Sequence, residues 1–292
     1  MRYLRQSLDF LLFTNIFVAL VAVAQTLVFY HLVQVKPSFL VLAFLFAATL
    51  FIYNFSILIY KPKNHQESSY KRVRWIFRNY KLNVAITITA FICLWPMFFL
   101  LATPTKILVV FLAFLSFGYA FPIFSVEGRK IGLRNITGLK LFLIAIVWAL
   151  SVTFLPYLEL NRAQFSNLSN TSVSIITMQR FLFFAAITIP FDVRDIFQDK
   201  AFAIKTIPVL FGEKKAYLIS QMMLAGSFLI LLFQFQTSGF TTDFFATAGI
   251  ILLAAWLIFK SKWEKNEYYY FLYLDGVLIL QYLILIIFSV IF

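Results

Sequence analysis

Long apolar stretches separated by short charged stretches run along the whole chain. A helix needs about 20 apolar residues to cross the hydrocarbon core of a bilayer, and about nine windows reach that length. These windows cover residues 10–33, 37–60, 82–102, 105–124, 139–157, 173–191, 215–236, 243–259 and 268–291. Regular alternation of apolar and polar residues, which strands of a membrane barrel show, is absent. Backbone groups in lipid must bond within their own segment, so we expect an all-α integral membrane protein, a single domain over residues 1–292 with about nine transmembrane helices.

The basic residues between the windows are distributed unequally, and this predicts an orientation. Most of the 25 Lys and Arg residues fall in the N-terminal tail and in every second loop, while the opposite loops carry Lys36, Lys106 and Arg162. Cytoplasmic loops are enriched in Lys and Arg, so we expect the N-terminus in the cytoplasm and the C-terminus outside. The predicted protein crosses the cell inner (cytoplasmic) membrane several times. This bias explains most of the formal net charge of +13 without nucleic-acid binding, and the basic face can attract anionic membrane lipids.

The composition supports the same class. Hydrophobic residues make up 62% of the chain and charged residues 13%, against roughly 25% charged residues in soluble domains. No segment is polar enough to form a separate soluble domain. Cys93 is the one cysteine and lies in an apolar window, which excludes an internal disulfide and a multi-cysteine metal site.

Half of the aspartates of the chain lie in "FDVRDIFQDK", residues 191–200, where an apolar window ends. Asp192, Asp195 and Asp199 are spaced i, i+3, i+7, which places them within roughly 60° of arc on one helix face and spreads them over about 10 Å. Clustered carboxylates repel one another unless a cation lies between them, and oxygen ligands suit Mg²⁺ or Ca²⁺. The row is too long for one ion to contact all three, but it suits a metal-bridged diphosphate. The alternative is a solvated, charged helix end.

The stretch "DVRDIFQDKAFAIKTIPVLFGEKKA" resembles the second aspartate-rich motif of the UbiA-type intramembrane prenyltransferase family. That motif reads Asp-x-x-Asp-x-x-x-Asp, followed after a short gap by Thr-x-Pro-Val and Gly. The matching positions are Asp192, Asp195, Asp199, Thr206, Pro208, Val209 and Gly212. Nine helices with the N-terminus inside, "GYAFPIF" and "LRNITGLKLFLIAIVWAL" are also similar to the family pattern, so the resemblance covers nearly the whole chain.

The resemblance implies a reaction and a site. The family binds a prenyl diphosphate through Mg²⁺ held by two aspartate-rich loops, and a lipophilic, usually aromatic acceptor captures the resulting allylic cation. Asp192, Asp195 and Asp199 would then be the metal ligands and catalytic residues. Basic and polar residues of the inner loops would bind the diphosphate. The candidates for that role are Asn54, Arg72, Arg129, Lys130, Lys140 and Lys200.

The first aspartate-rich motif of the family is missing. The corresponding stretch is "YNFSILIYKPK", in which Asn54 matches the family asparagine while Phe55, Leu58 and Pro62 stand at the aspartate positions. One hypothesis is that the following cationic run, "YKRVRWIFRNYK", replaces that metal site, because Arg side chains hold phosphates bidentately. The competing hypothesis is a protein that binds an isoprenoid diphosphate without transferring it. Basic residues that only enforce the topology are a third interpretation.

Two charged residues lie within apolar windows, Arg180 in "ITMQRFLFF" and Asp275 in "FLYLDGVLI". Charges at such depth face a cavity or find a partner. We expect the two to pair, the alternative being that each lines the cavity separately.

Taken together, these features predict Mg²⁺-dependent transfer of a prenyl group from an isoprenoid diphosphate to a lipophilic acceptor. A non-catalytic isoprenoid-diphosphate-binding or accessory membrane protein is the alternative suggested by the missing motif. A secondary transporter is suggested by the buried charges, but such proteins often contain internal repeats, and the sequence shows no clear repeat.

Overall fold

A computed structural model describes residues 2–59, 66, 68, 70–121, 124–126, 129–133, 136–161, 169–236, 241–264 and 266–291. The helices in this part of the chain are α1 (Arg2–Phe13), α2 (Ile16–Leu32), α3 (Phe39–Ile59), α4 (Lys71–Arg78), α5 (Tyr80–Leu100), α6 (Thr103–Ala120), α7 (Leu139–Val152), α8 (Phe154–Asn161), α9 (Asn170–Arg194), α10 (Ile196–Ala201), α11 (Ile207–Phe211), α12 (Glu213–Gln236), α13 (Thr242–Lys260) and α14 (Gly276–Ile291). A short 3₁₀ turn (Ser261–Trp263) follows α13, and a π-helical segment (Tyr269–Leu274) leads into α14.

The predicted helical class is confirmed, with one small addition. Strands β1 (Phe124–Val126) and β2 (Arg129–Ile131) form an antiparallel hairpin between α6 and α7, with Ser125 opposite Lys130. Residue 124, predicted to end the fourth apolar segment, belongs instead to β1, and the apolar pattern does not predict this hairpin.

Seven helical segments within the described residues are long and apolar enough to cross a membrane. They are Phe39–Ile59, Tyr80–Leu100, Leu139–Leu160, Asn170–Arg194, Glu213–Gln236, Thr242–Trp263 and Tyr269–Val290. Helices α1 and α2 together would form an eighth, but they are bent by 67°. The apolar part of α6, Thr103–Tyr119, is shorter than these eight segments. The nine predicted segments therefore all appear as helical segments, while nine complete spans remain a prediction.

The bend between α1 and α2 is held by buried polar side chains. Asn15 adopts a left-handed conformation with φ of 64°, which Asn tolerates better than most residues. Asn54 on α3 donates from Nδ2 to the Thr14 carbonyl oxygen at 2.9 Å, and its Oδ1 accepts a hydrogen bond from Asn15 Nδ2 at 2.9 Å. Asn54 also donates to the Leu50 carbonyl oxygen and is 1% exposed. The Asn54 amide therefore forms its hydrogen bonds within the protein and stabilises the bend.

Helix α9 lies at the centre of the bundle and packs against α7 and α12. Small residues at the α7 and α9 faces, such as Ala145, Ala149 and Ala186, are almost fully buried and allow close approach of the two backbones. Pro190 within α9 has no N–H to donate to the Ala186 carbonyl oxygen. Ser220 on α12 supplies that hydrogen bond instead, from Oγ at 2.7 Å. The proline is thus tolerated because a neighbouring helix satisfies the carbonyl it frees.

The expected pairing of Arg180 with Asp275 is wrong for the described contacts. Arg180 is 1% exposed and donates from Nη1 to Gln281 Oε1 at 2.7 Å and to Gln25 Oε1 at 3.3 Å. Gln281 lies six residues beyond Asp275 in the sequence, which is about 9 Å along a helix. Arg180 therefore lies at a different depth from Asp275. Its partners are the two glutamines.

We predict that Ser220→Ala lowers the free energy of unfolding by about 1 kcal/mol, because the Ala186 carbonyl loses its Ser220 donor. In a Pro190→Ala background, the restored N–H of residue 190 should reduce this cost to nearly zero. Thermal unfolding in detergent of the four proteins of this double-mutant cycle measures both values. An equal cost of Ser220→Ala in both backgrounds would contradict the assignment.

Candidate functional site

A cavity of about 310 Å³ lies where the last turns of α9 approach α4, α7 and the segment before α14. Three cationic and three acidic side chains line it, and we call it the charged cavity. These are Arg72, Lys140, Arg194, Asp192, Asp195 and Asp275. A concentration of opposite charges in a partly enclosed space is typical of a binding site for a charged ligand.

Lys140 joins two of the three clustered aspartates. Its Nζ lies 2.8 Å from Asp192 Oδ1 and 3.0 Å from Asp199 Oδ2. Both aspartates are nearly fully buried, and the two carboxylates share the single positive charge of this ammonium group. Lys140 lies in the first turn of α7, where Gly138 adopts a left-handed conformation with φ of 73° and donates from its N–H to the Lys205 carbonyl oxygen. The start of α7 is therefore tied to the segment between α10 and α11.

Asp195 has different partners. Helix α9 ends at Arg194, and Asp195 forms the turn to α10. Arg194 donates from Nε and Nη2 to the two carboxylate oxygens of Asp195 at 2.8 and 2.9 Å. The Tyr70 hydroxyl donates to the same carboxylate at 3.3 Å. Burial, with the negative charge of Asp195, raises the pKa of Tyr70 to about 12, so the phenol keeps its proton at neutral pH.

The expectation of three aspartates in one row on one helix is corrected by these contacts. Helix α9 ends at Arg194 and α10 begins at Ile196, so the three aspartates do not lie on one continuous helix. Asp192 and Asp199 contact Lys140, while Asp195 contacts Arg194. Asp192 and Asp195 line the charged cavity, and Asp199 is absent from its lining among the described residues. Asp199 supports the site through Lys140.

Helix α4 is held against the bundle by acidic groups from other segments. Glu267 accepts hydrogen bonds from the backbone N–H groups of Lys71 and Arg72, at 2.6 and 3.2 Å, and so caps the helix. The Lys71 ammonium binds Asp9 of α1 at 2.8 Å and contacts the Tyr268 hydroxyl. This capping orients Arg72 towards the cavity.

The Arg72 guanidinium is one wall of the charged cavity. It lies over the Phe271 ring at 4.9 Å and donates from Nη2 to Asn15 Oδ1 at the α1–α2 bend. Its Nε is buried without a hydrogen-bond partner. Burial and the nearby Arg194 lower the pKa of Arg72 to about 10, which leaves the side chain cationic at neutral pH.

The other predicted diphosphate-binding residues divide into three groups. Asn54 lies behind the wall of the cavity, where it holds Asn15, the acceptor of Arg72. Lys200 is exposed on α10 and does not line the charged cavity. The side chains of Arg129 and Lys130 lie outside the described part of the chain.

Sequence reasoning missed Arg194, Tyr53 and Trp148. Arg194 lies inside the motif "DVRD" next to Asp195, and this adjacency was the available signal. Its guanidinium also lies over the Tyr270 ring at 5.0 Å and the Phe191 ring at 5.3 Å, which fixes its position. Tyr53 and Trp148 are two of many aromatic residues in apolar windows, and the sequence does not distinguish them.

A second cavity of about 410 Å³ adjoins the charged one and is almost entirely apolar; we call it the apolar cavity. Helices α3, α5, α6 and α7 form its walls. Some lining residues, including Phe91, Trp95 and Val110, are also exposed on the outer face of the bundle, so the cavity reaches the surface that lipid would cover. Tyr53 and Trp148 line both cavities, and the Trp148 indole N–H donates to the Tyr53 hydroxyl oxygen at 3.1 Å.

The charged cavity contains two carboxylates of the kind that hold a divalent ion. Within the described residues no three His, Cys, Asp or Glu side chains converge closely enough to hold a metal. Asp192 and Asp195 nevertheless both line the cavity, and Asp192 Oδ2 is buried without a hydrogen-bond partner. Mg²⁺ is commonly bound by one or two carboxylates together with substrate phosphate oxygens and water, and this pair of aspartates offers such a set.

The fold and the two cavities define a multi-pass integral membrane protein with a charged site next to an apolar one. The model of the UbiA prenyltransferase family matches residues 71–276, and the chain belongs to that family. The resemblance inferred from the second aspartate-rich motif is thereby confirmed. Family membership supports intramembrane prenyltransferase activity in general, and such enzymes generally use divalent metal ions.

Among solved structures, the apo structure of a UbiA homolog from Aeropyrum pernix K1 is similar, with a TM-score of 0.63 and 13% sequence identity. The match covers 94% of this chain and 97% of that chain, and at this identity it shows the fold. No curated protein matches the sequence significantly.

We predict that Lys140→Met lowers the free energy of unfolding by about 3 kcal/mol, because it leaves Asp192 and Asp199 buried without their shared cation. Lys200→Met on the exposed face of α10 is the matched control and should cost less than about 0.5 kcal/mol. Unfolding of the purified proteins in detergent measures both. A similar small effect of the two substitutions would show that Lys140 does not stabilise the aspartates.

Proposed function

We propose that this protein transfers a prenyl group from an isoprenoid diphosphate to a lipophilic, aromatic acceptor within the membrane, with Mg²⁺ as cofactor. The observation that carries the proposal is the direct contact of the charged cavity with the apolar cavity at Tyr53 and Trp148. A prenyl diphosphate is a dianionic or trianionic head on a hydrocarbon tail, so it needs two adjoining spaces of this kind. The family to which the chain belongs supports the same substrate class.

The diphosphate is held by the three cations of the charged cavity, Arg72, Lys140 and Arg194. The two guanidinium groups can each bind phosphate oxygens in a bidentate manner, and both retain a buried nitrogen without a partner, Arg72 Nε and Arg194 Nη1. These nitrogens give the site hydrogen-bonding capacity that the protein leaves unused. The cavity is only partly open to water, so each charge interacts with the ligand more strongly than it would at the surface.

Asp192 and Asp195 would hold the Mg²⁺, while Asp199 positions Lys140. When bound, the ion draws electron density onto the diphosphate oxygens and makes the diphosphate a better leaving group. The side chains orient the head group so that its C1–O bond points towards the apolar cavity, and that cavity keeps water away from the reacting carbon. The electron pair of the C1–O bond leaves with the diphosphate, whose growing negative charge faces the three cations. A ring carbon of the acceptor forms the new bond to C1, and the proton of that carbon passes to the released diphosphate.

The missing first aspartate-rich motif is replaced by positive charge. Phe55 and Phe51 stack on each other in α3, with ring centroids 5.1 Å apart, so this region contributes apolar packing in place of carboxylates. The wall that contains Arg72 and Arg194 supplies cations directly, without a second metal ion. This supports the hypothesis that arginines took over from a metal site, with Arg194 in the place where the sequence analysis considered other members of the cationic run. Arg74 and Arg78 are exposed and do not line the cavity.

The proposed orientation places the charged cavity at the cytoplasmic ends of the helices, in the cell inner membrane, where a soluble diphosphate would arrive. The acceptor would come from the bilayer, since the apolar cavity reaches the outer face of the bundle at Phe91 and Val110.

The second candidate is a protein that binds an isoprenoid diphosphate without transferring it. The observation in its favour is that Lys140 lies between Asp192 and Asp199, so that only two of the three motif aspartates face the cavity.

The test uses membranes that contain the protein, radiolabelled geranylgeranyl diphosphate and added Mg²⁺. We expect label to appear in a lipid product and EDTA to abolish the transfer. Asp192→Asn should lower the rate at least about 100-fold, because it weakens the stabilisation of the leaving group. Asp243→Asn, the same substitution in a pair with His31 far from the cavity, should leave the rate unchanged.

Binding measured on the same preparations separates the two candidates. Absent transfer with binding that Asp192→Asn removes would favour the non-catalytic protein. Transfer that persists at full rate in EDTA would contradict the role of Mg²⁺.

A further inference from the structure

Tyr53 on α3 and Trp148 on α7 are the residues shared by the linings of the two cavities. Their hydrogen bond, from the indole N–H to the phenol oxygen at 3.1 Å, lies at the boundary between the charged and the apolar space. The rings meet edge to face, with centroids 6.4 Å apart and an interplanar angle of 79°. Both side chains are half-buried, and what remains accessible of them faces the cavities that they line.

A ligand with a charged head and a long apolar tail can satisfy both cavities at once only by crossing this boundary. The head requires Arg72, Lys140 and Arg194, because an unpaired diphosphate is strongly disfavoured in an apolar space. Burial of the tail in the apolar cavity stabilises the complex in proportion to the apolar area that is removed from water. The atom that joins head and tail, C1 of the prenyl chain, therefore lies beside the hydrogen-bonded pair of Tyr53 and Trp148.

We propose that the hydrogen-bonded pair of Tyr53 and Trp148 forms one side of the passage through which the prenyl chain enters the apolar cavity, and that this pair determines which chains are accepted. The inference rests on the proposed function for the identity of the head group, and it adds the residues that select the tail. The passage has a defined size, because Trp148 is held on one side by the Tyr53 hydroxyl and on the other by the Phe184 ring at 5.5 Å.

The space beyond the passage suits a linear chain of isoprene units. Small side chains, including Thr49, Ala113 and Ser151, line it next to aromatic rings such as Phe51 and Phe117. Small residues leave a channel, and the rings present flat faces against which methyl-branched chains pack. The C1 end of the chain would lie against the faces of two electron-rich rings, which favour a neighbouring positive charge.

The experiment compares the binding of geranylgeranyl diphosphate and of inorganic diphosphate to the purified protein in the presence of Mg²⁺. In the wild type we expect geranylgeranyl diphosphate to bind at least about 100-fold more tightly, because the apolar cavity takes up its tail. Tyr53→Trp narrows the passage and should reduce this ratio at least about tenfold, while the affinity for inorganic diphosphate changes less than about twofold. Retained binding of inorganic diphosphate also shows that the variant is folded.

Two further variants complete the test. Ala113→Trp fills the apolar cavity away from the passage. It should therefore weaken the binding of geranylgeranyl diphosphate more than the binding of the shorter geranyl diphosphate. Tyr273→Trp is the matched control for Tyr53→Trp, since Tyr273 is exposed on the outer face and lines neither cavity; it should leave all affinities unchanged.

The proposed passage is overturned if Tyr53→Trp leaves the ratio of the two affinities unchanged, which includes the case in which it weakens the binding of both ligands equally. It is also overturned if the wild type binds inorganic diphosphate and geranylgeranyl diphosphate with the same affinity. In that outcome the anion site of the proposed function still stands. If the expected ratios are found but membranes show no prenyl transfer, the passage is supported and the catalytic part of the proposed function fails. A wild type that binds neither ligand contradicts both.

Discussion

The ion pairs of Lys140 with Asp192 and Asp199 are the interaction on which the rest of the site depends. They bring α7, α9 and α10 together at one end of the bundle, at distances of 2.8 and 3.0 Å. Two buried carboxylates cannot remain charged next to each other without a cation, and Lys140 supplies it from the first turn of α7. Once these helices are joined, the remaining aspartate, Asp195, is turned towards Arg194 and the cavity, and Asp192 presents its second oxygen without a partner.

The second constraint is the bend between α1 and α2. Asn54, Asn15 and Arg72 form a chain of hydrogen bonds from the middle of α3 to the wall of the charged cavity. The family asparagine at the start of the lost aspartate motif thus keeps a structural connection to the site. Its contribution is the position of a guanidinium group.

The site as a whole is a balance between cations and carboxylates rather than a row of acidic ligands. Three of each line the charged cavity. Arg72 and Arg194 each keep a buried nitrogen without a hydrogen-bond partner, which can donate to an oxygen of a bound anion. Next to this space lies an apolar cavity that reaches the lipid-facing surface. The joint between the two is made by Tyr53 and Trp148, which gives the amphiphilic character of a prenyl diphosphate a direct counterpart in the protein.

The sequence alone determined the membrane class, the approximate helical segments and the importance of the 192–212 stretch, because apolar windows and short motifs are local patterns. It also placed Lys140 and Arg72 among the candidates, since charge near a membrane boundary is visible in one dimension. Which aspartate faces the cavity, the pairing of Arg180 with glutamines, and the roles of Arg194, Tyr53 and Trp148 were decided only by the tertiary structure. The physical reason is that these roles depend on a break in α9 at Asp195, on the depth of each residue along its helix, and on contacts between helices distant in sequence. A one-turn difference in depth or a local end of a helix changes the partner of a charge while leaving the sequence pattern the same.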